Sequence, residues 1–330
     1  ALSSAASDVY KRQEIQLREN TVMLDNVIIT ALGLEKKEAS LAYSIQKVKG
    51  EELTRMKEVN MITALAGKAA GVQINKNSSG IGGSAKVSLR GIRSASGDNQ
   101  PLYVIDGVPM LNIGTEQAYS AIGGTANAGN RDGGDGISNL NPEDVESISI
   151  LKGAPAAALY GSQAANGVIL ITTKKGNTAG QRNIHFSTGL TFDKAFSLPK
   201  MQNCYGVSDV VDSWGEKTYL PTSNELNDFF RTGLTSITSV SVNYGNEKIQ
   251  TYFSYANTTG RGIVDKNQLT KHNINLRETA VMFNQRLKLD GNVNVMRQIV
   301  KNKPVSGGFY MNPLVGLYRF PRGEDLSYYK

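Results

Sequence analysis

The side chains that most often do covalent chemistry in enzymes are scarce in this chain. Its 330 residues include two histidines, His185 and His272, and one cysteine, Cys204. No serine lies in a Gly-x-Ser-x-Gly elbow, and neither histidine has a candidate nucleophile nearby. Two separated histidines disfavour a zinc centre, and a single cysteine excludes an intrachain disulfide. A hydrolase or esterase has no support, and we predict a protein that is not an enzyme and holds no metal or cofactor.

Charged and glycine residues in two short strings are better candidates for a function. Leu89–Ser94 reads Leu-Arg-Gly-Ile-Arg-Ser, and Pro101–Pro109 reads Pro-Leu-Tyr-Val-Ile-Asp-Gly-Val-Pro. A guanidinium makes paired hydrogen bonds with a carboxylate, so Arg90 and Arg93 are suited to latch one part of a protein to another. Solvated surface arginines explain the same string equally well. Asp106–Gly107 predicts a tight turn after a strand.

The stretch Asn141–Gly176 carries several local structure signals. Its first residue can cap a short helix that begins with proline and two carboxylates. Ser147–Ile150 alternates polar and apolar residues as a strand does, and an alanine-rich turn is expected at Ala154–Tyr160. Val168–Thr173 is apolar on both faces and β-branched, which predicts a central buried strand. The whole stretch predicts a compact mixed α/β domain.

These three strings together resemble the plug domain of the TonB-dependent outer-membrane transporters, and they are most similar to the SusC/RagA branch. The resemblance extends from about Leu24 to the end of the chain. It implies an α+β plug domain followed by antiparallel β-strands of an incomplete transmembrane β-barrel. In such proteins the plug blocks a barrel of about 22 strands until a periplasmic partner pulls on it. The plug signature residues, structural or latch, are Arg90, Gly91, Arg93, Asp106, Gly107 and Pro109.

The resemblance divides the chain into four parts. Residues 1–23 are expected to be the truncated end of a preceding β-sandwich domain of the carboxypeptidase regulatory-like type. Residues 24–38 would be the TonB box and linker, 39–176 the plug domain, and 177–330 the first strands and loops of the barrel. The N-terminus lacks the pattern of a signal peptide, and about five strands cannot close such a barrel. We therefore expect a fragment of a longer protein.

The octet Leu24–Ala31, near the N-terminus, occupies the position of the TonB box in this family. The octet is β-prone and is followed by Gly33 and a charged group at 35–38. An exposed extended segment can add itself as a strand to a partner's sheet edge, mainly through main-chain hydrogen bonds. An ordinary edge strand is the alternative interpretation. The predicted contacts with the TonB partner are Leu24, Asp25, Asn26, Val27, Ile28, Ile29, Thr30 and Ala31.

Between the octet and the first string, the spacing of apolar residues predicts one plug helix from Glu51 to Gly71. A Gly/Ser/Asn loop at 77–84 follows, and since no helix start comes after it, a flexible turn is favoured over phosphate binding. Asn112–Gly136 is long and glycine-rich, and such loops are usually functional or mobile, so it is a candidate lining of the substrate path. Its Asp132–Gly136 part lacks the ligand spacing of a calcium loop.

After Gly176 the chain changes to alternating segments. In the first of them Ile184, Phe186 and Leu190 share one face and polar residues share the other, and the same alternation recurs between 239 and 295. In a transmembrane barrel the apolar face meets lipid and the polar face meets a wet lumen. A soluble antiparallel sandwich gives the same pattern, with the apolar face as its core. The family resemblance decides between the two.

The resemblance implies TonB-dependent active import of a bulky nutrient across the Gram-negative outer membrane, with the plug and N-terminus facing the periplasm. The implied partners are the TonB energy-transducing protein, a SusD-like lipoprotein lid, outer-membrane lipid and an oligosaccharide or peptide substrate, whose contact residues are not predicted. The 36 Lys and Arg residues, which give a net charge of +7, are scattered, and this disfavours nucleic-acid binding. No apolar run reaches the roughly 18–20 residues of a membrane helix. A soluble periplasmic or surface β-type binding module is the alternative function.

Overall fold

The protein contains an α+β plug domain that packs against a sheet of long antiparallel strands. The computed structural model describes residues 45–77, 79–94, 99–110, 112, 132, 134–208, 213–217, 225–283, 286–304 and 312–321, together with the backbone at 27–29 and 35–37.

Part of the predicted TonB box has an extended backbone. Strand β1 (Val27–Ile29) pairs antiparallel with β2 (Glu35–Lys37), and Ile28 lies opposite Lys36. The rest of the octet, and the predicted domain at residues 1–23, lie outside the described residues. Contact with the TonB partner stays a prediction.

The plug is built on a mixed sheet whose central strand is the one predicted from its apolar composition. In the part of the chain that the structure describes, the strand order is β3-β8-β9-β6-β7. The pair β6 and β9 is parallel and the other pairs are antiparallel. A separate hairpin, β4 and β5, covers the sheet. The strands are β3 (Ile45–Lys49), β4 (Val72–Lys76), β5 (Ala85–Leu89), β6 (Leu102–Ile105), β7 (Val108–Met110), β8 (Val145–Leu151) and β9 (Val168–Thr173).

Both faces of β9 are buried, which confirms the prediction of a central strand. Ile169 and Ile171 belong to one apolar cluster. Their neighbours Val168 and Leu170 belong to a second cluster. Since successive side chains of a strand point to opposite faces, the two clusters lie on opposite sides of the sheet.

The prediction of one helix from Glu51 to Gly71 is wrong. Helix α1 covers Gly50–Thr54, and a 3-10 turn covers Thr63–Leu65. Between them the side-chain oxygen of Asn60 accepts a hydrogen bond from the backbone N of Ile62 at 3.0 Å. Such local side-chain bonds offer the backbone an alternative to the helical pattern. The apolar residues here are buried in several directions rather than along one stripe.

Short helical segments flank β8. Asn141 caps a 3-10 turn at Pro142–Asp144 by accepting from the backbone N of Glu143 at 3.2 Å, as predicted. The alanine-rich segment forms a helix, α2 (Ala154–Tyr160), where a turn was predicted. A proline in the first turn and a run of alanines, the best helix former, explain the difference. Further 3-10 turns cover Gly136–Asn139 and Ser162–Ala164.

The C-terminal half forms an antiparallel sheet in chain order, and the number of strands agrees with the prediction. Five strands are present among the described residues, each pairing with the next. No helix in these residues is long and apolar enough to cross a membrane. The strands are β10 (Asn183–Asp193), β11 (Gly233–Gly245), β12 (Ile249–Arg261), β13 (Gln268–Met282) and β14 (Leu287–Lys301), and the helices are α3 (Glu225–Phe229) and α4 (Pro313–Arg319).

In β11, β12 and β13 the polar face of this sheet is mostly buried, whereas the apolar face is more exposed. In β13, Asn275 and Arg277 are 1% and 4% exposed, whereas Ile274 and Leu276 are 44% and 45% exposed. The buried polar side chains contact the plug. A soluble sandwich would bury the apolar face instead, so the barrel interpretation of the alternation is the one that the structure supports.

The two ends of the sheet differ in the length of their connections. At one end, residues 246–248 and 283–286 join neighbouring strands. At the other end, residues 194–232 and 262–267 join them. We call these the short-turn end and the long-loop end.

Candidate functional site at the contact of plug and sheet

Asp106 sits at a strained turn that joins β6 to β7 in the plug sheet. Its φ is 48°, in the left-handed region, and Gly107 follows with φ 89°. The carboxylate accepts hydrogen bonds from the backbone N and the hydroxyl of Thr173, at 2.9 and 2.6 Å. The predicted tight turn is therefore present, and its aspartate is fixed to the end of β9.

Arg277 joins this aspartate to the strand sheet. Its guanidinium makes two hydrogen bonds with Asp290 of β14, at 2.9 and 2.8 Å. The same group donates to Asp106 at 3.0 Å and to the hydroxyl and carbonyl oxygens of Thr173. Arg277 is almost completely buried. One arginine thus holds a carboxylate of the sheet and a carboxylate of the plug at once.

A second set of contacts joins the segment before β8 to the sheet. The hydroxyl of Tyr252 donates to Asp144 at 3.0 Å, and the amide of Asn273 donates to the carbonyl of Asn139 at 2.6 Å. The ammonium of Lys271 donates to the carbonyl of Ser138.

Asp144 is completely buried in this contact. Burial raises the pKa of its carboxyl group, although hydrogen bonds from Ser254 and Tyr252 and the charge of Lys174 oppose the shift. This carboxylate was interpreted from the sequence as a partner of a helix dipole. Its contact with Tyr252 of β12, more than 100 residues later in the chain, could not be predicted from any pattern in the sequence.

Lys57 bridges the plug and the first strand of the sheet. Its ammonium donates to Glu143 and to the hydroxyl of Ser187 in β10. Burial lowers the pKa of Lys57, and the positive charge of Lys174 acts in the same direction. No pattern in the sequence marks Lys57 as a residue that joins the plug to the sheet.

At the long-loop end, Asp132 organises the loop before β5. It accepts hydrogen bonds from the hydroxyl of Ser79 and from the backbone N of Ser84 and Gly134, at 2.7, 2.7 and 2.8 Å. Burial opposes ionisation of Asp132, but these bonds and Lys303 outweigh it and hold the pKa below its usual value. Lys303, just after β14, also donates to the carbonyl of Gly82 at 3.0 Å. Asp132 therefore acts as a main-chain anchor, and no group of three or more His, Cys, Asp or Glu in the described residues is placed to hold a metal.

The two signature arginines lie on the plug surface. Arg93 donates to the carbonyl of Ala165 at 2.9 Å, and exposed Arg90 lies beside Gly153. Both contacts are within the plug. The latch role of Arg90 and Arg93 stays a prediction. Among the described residues, Asp106 is the signature residue that pairs with the long sheet, through Arg277.

The long-loop end also holds a cleft between plug and sheet. Its volume is about 380 Å³. Loop 80–84 of the plug forms one wall and the ends of three strands form the other. Polar side chains in its lining include Lys57, Asn60, Lys76, Thr191, Asp193 and Gln298.

An α+β domain that fills the polar face of antiparallel strands, while their apolar face is turned outward, defines a plugged β-barrel. Residues 37–168 match the family model described as the TonB-dependent receptor plug domain. These residues form a plug domain of the TonB-dependent receptor family.

Individual relatives specify the branch. The chain is 31% identical to the TonB-dependent receptor SusC of Bacteroides thetaiotaomicron over 87% of its length, which is 28% of that receptor. It is 32% identical to the TonB-dependent receptor P26 of Formosa agariphila over 61% of its length and 20% of that protein. A solved structure of the RagAB peptide importer in its open-open state matches with a TM-score of 0.62 and 21% identity, over 84% of this chain and 32% of that one.

These similarities confirm the predicted SusC/RagA resemblance and the predicted fold. The relatives are receptors and transporters by name, which agrees with the prediction that the chain is not an enzyme. The chain spans roughly a fifth to a third of the length of these relatives.

Proposed function

We propose that the full-length protein actively imports a bulky nutrient across the Gram-negative outer membrane through its plugged barrel, with energy delivered by TonB. The observation that carries this proposal is the orientation of the long sheet. Its polar face binds the plug through ion pairs and hydrogen bonds, and its apolar face is exposed. Polar contacts can be exchanged for water when the plug moves, so a lumen closed in this way can reopen. The exposed apolar face suits lipid. No observation favours a soluble binding module.

The connections between strands support the proposed orientation. Outer-membrane barrels carry short turns on the periplasmic side and longer loops on the outer side. We therefore assign the short-turn end to the periplasm and the long-loop end, with its cleft between plug and sheet, to the outside. The plug and the N-terminus would then face the periplasm, where the octet Leu24–Ala31 meets TonB.

The substrate is proposed to be an oligosaccharide or a peptide. The family resemblance implies one of these two classes, and a structural neighbour is a peptide importer by its description. By the same resemblance, a SusD-like lipoprotein would form a lid over the long-loop end. Growth of the producing strain on defined oligosaccharides or peptides as the limiting nutrient separates the two classes.

The experiment that tests TonB dependence is the substitution Ile28→Pro in the full-length protein. Proline removes a backbone donor from the strand, so pairing with the partner's sheet edge should fail. We expect nutrient uptake to be lost while the amount of barrel in the outer membrane stays unchanged. Ile28→Ala keeps the donor and is the matched control, with most uptake retained. Unchanged uptake in the proline variant would contradict the proposal.

A further inference from the structure

The outward face of the long sheet changes from apolar to polar at one row of residues. Residues directly opposite each other in antiparallel strands project from the same face of the sheet. The register therefore divides this face into rows that cross all five described strands. One row is apolar or aromatic and consists of Phe186, Val240, Tyr255, Ile274 and Val295. The next row towards the long-loop end is polar and consists of Thr188, Thr238, Asn257, His272 and Arg297.

Beyond this polar row, the outward face of β12 to β14 carries further basic side chains. Two rows closer to the long-loop end, Arg261, Gln268 and Lys301 lie opposite one another. Arg261, Arg297 and Lys301 are exposed, and the ion pairs among the described residues involve none of them. On these strands, neither row nor the one between them contains a carboxylate. We call Arg261, His272, Arg297 and Lys301 the basic patch.

The basic patch lies in the outer part of the proposed membrane span. Glu278 projects from the same face of β13, nearer the short-turn end. Gln268 is ten residues away from it, which at a rise of about 3.4 Å per residue and a tilt of about 40° is a height of about 25 Å. The apolar band of an outer-membrane barrel has this height. The row of Arg261 and Lys301 is therefore at the outer limit of the band, and Arg297 lies four residues deeper along β14.

An arginine at the depth of Arg297 needs a partner. A charged side chain that faces lipid is unfavourable, and more so with increasing depth. A long side chain reduces this cost by extending its charged end towards the headgroups. There the guanidinium can bind a phosphate group through paired hydrogen bonds, and the phosphate supplies the opposite charge.

Tyr255 and Asn257 hold His272 in one orientation next to this arginine. The amide nitrogen of Asn257 donates to Nδ1 of His272 at 3.2 Å, and the hydroxyl of Tyr255 lies 3.0 Å from the same atom. The ring of Tyr255 also stacks on the imidazole, with the planes tilted by 21°. Because Nδ1 accepts, the hydrogen of the neutral ring is on Nε2. The patch therefore offers one fixed neutral donor in addition to its three cations.

We propose that the basic patch binds the phosphorylated headgroup of a glycolipid in the outer leaflet of the membrane. This inference rests on the proposed orientation of the barrel and adds a lipid ligand to the proposed function. The acyl chains of the lipid would cover the apolar rows below the patch. Its phosphates would neutralise cations that have no carboxylate partner among the described residues.

The spacing of the cations favours an extended headgroup over a single small anion. Neighbouring strands are about 4.8 Å apart, so the backbones of Arg261 and Lys301, two strands apart, are separated by about 10 Å. Those of Arg297 and Lys301, four residues apart on β14, are separated by about 13 Å. A free phosphate ion would meet one cation at a time, whereas a headgroup with several acidic groups meets them together.

The test is a binding measurement on the purified, delipidated full-length protein in detergent. The probe is lipopolysaccharide from the producing strain, and binding is followed by the rise in the temperature at which the gel mobility changes to that of the unfolded chain. We expect the wild type to bind the probe. Arg297→Gln and Lys301→Gln should each weaken this binding by about fivefold, the effect of one cation beside an anionic surface. Arg297→Lys retains the charge and should bind within about twofold of the wild type.

Lys248→Gln is the matched control, because Lys248 is an exposed lysine in a turn at the short-turn end. It should leave the binding unchanged. An equal loss in Lys248→Gln and Arg297→Gln would overturn the patch, since the effect would then be one of net charge. If Arg297→Gln lowers the folded fraction, the comparison of Lys301→Gln with Lys248→Gln decides.

Two further probes separate the possible ligands. Lipopolysaccharide treated with a phosphatase should bind much more weakly, and an excess of inorganic phosphate should not displace the untreated probe. Equal binding of the treated and untreated lipid overturns the proposal. Displacement by inorganic phosphate does so too, because it would define a site for a free anion. A change in oligomeric state of Arg297→Gln at unchanged lipid binding would assign the patch to a contact between copies instead.

Uptake in cells with and without TonB separates this inference from the proposed function. TonB-dependent uptake by a protein that shows no phosphate-dependent binding of lipopolysaccharide leaves the transport proposal intact and overturns the patch. Phosphate-dependent binding that needs Arg297, without TonB-dependent uptake, supports the patch and overturns the transport proposal.

Discussion

Arg277 is shared between two carboxylates that belong to different parts of the molecule. Its planar guanidinium has enough donors to bind Asp290 at two points and Asp106 at a third. An arginine left alone in a buried position would be strongly unfavourable. In the proposed transport cycle Asp290 would stay with Arg277, so the plug could leave without exposing an unpaired arginine in the sheet. The arrangement suits a contact that must be broken and remade.

The first prediction concerns the plug side of this contact. Asp106→Asn should remove the ion pair with Arg277 while retaining an acceptor for Thr173, and should weaken plug seating by about 1–3 kcal/mol. The expected result is higher sensitivity of the producing cells to a large antibiotic such as vancomycin. Asp265→Asn is the control, since Asp265 also pairs with an arginine, at 2.6 Å, but is largely exposed on a loop. If Asp106→Asn and Asp265→Asn make the cells equally sensitive to vancomycin, Asp106 does not act as a latch.

The second prediction follows from the buried carboxyl group of Asp144. Burial raises its pKa, so the folded protein holds this proton more tightly than the unfolded chain. Its contribution to stability is therefore fully present below the ordinary pKa of an aspartate and falls as the pH rises through the raised value. Asp144→Asn is always neutral and retains an acceptor for Tyr252. The melting temperature of Asp144→Asn, relative to that of the wild type, should therefore increase as the pH rises from about 4 to about 8.

That comparison is made on the full-length protein in detergent. Asp265→Asn should follow the wild type at every pH because Asp265 is exposed. A constant difference between Asp144→Asn and the wild type over the whole range would show that Asp144 does not titrate in this window.

At the level of single residues, the sequence predicted the turn at Asp106 but not the partner of its carboxylate. The Asp-Gly pair is a local turn signal, and the turn is present. Arg277 is a charged residue on the polar face of a strand, a pattern that suits a wet lumen as well as a plug contact. Its pairing with Asp106 joins residues far apart in the chain, and a single sequence contains no record of such a contact.

Among the structural elements, strands were predicted better than helices. Val168–Thr173 is apolar on both faces, and only a central strand buries both. The span 51–71 satisfied helical spacing, but the helix ends at Thr54, and further along the side chain of Asn60 bonds the backbone N of Ile62. The spacing of apolar residues shows that they could share one face of a helix, but it does not show whether they are buried along one face or in several directions.

The third prediction tests the junction of β3 and α1. The chain turns from strand into helix at Gly50, whose α-carbon lies so close to the carbonyl of Val145 that a Cβ would overlap it. Gly50→Ala should therefore separate α1 from β8 and destabilise the plug by about 1–3 kcal/mol. Faster hydrogen exchange of the β3 and β8 amides in the full-length protein is the expected readout. Gly316→Ala in α4 has open space around the new methyl group and should leave the exchange unchanged; equal exchange in both variants would contradict the prediction.

For the whole molecule, the decisive observation is which face of the long sheet is covered. Alternation alone is the same for a sandwich and for a barrel, because both need one polar and one apolar face. The plug settles the matter, since its polar contacts with Arg277, Tyr252 and Lys271 occupy the face that a sandwich would leave in water.

The fourth prediction concerns the outward face. Ile274→Lys should reduce the amount of assembled barrel in the outer membrane, because a lysine facing the middle of the bilayer costs about 2–4 kcal/mol. Ile274→Phe keeps the position apolar and should assemble normally. The folded fraction is read from the shift in gel mobility between heated and unheated samples. Normal assembly of the lysine variant would mean that this face does not meet lipid.

The pairing of strands in the plug also bears on the order in which the protein folds. Each strand of the long sheet pairs with its immediate successor, and from β11 to β14 these hairpins close short loops, at 246–248, 262–267 and 283–286. The plug sheet instead pairs Ile45 with Leu151 and Leu102 with Val168, and closing such long loops is slow because more chain entropy is lost first. We therefore expect the hairpins of β11 to β14 to form faster than the plug sheet. On that order, the plug would complete its central strand against barrel strands that are already paired.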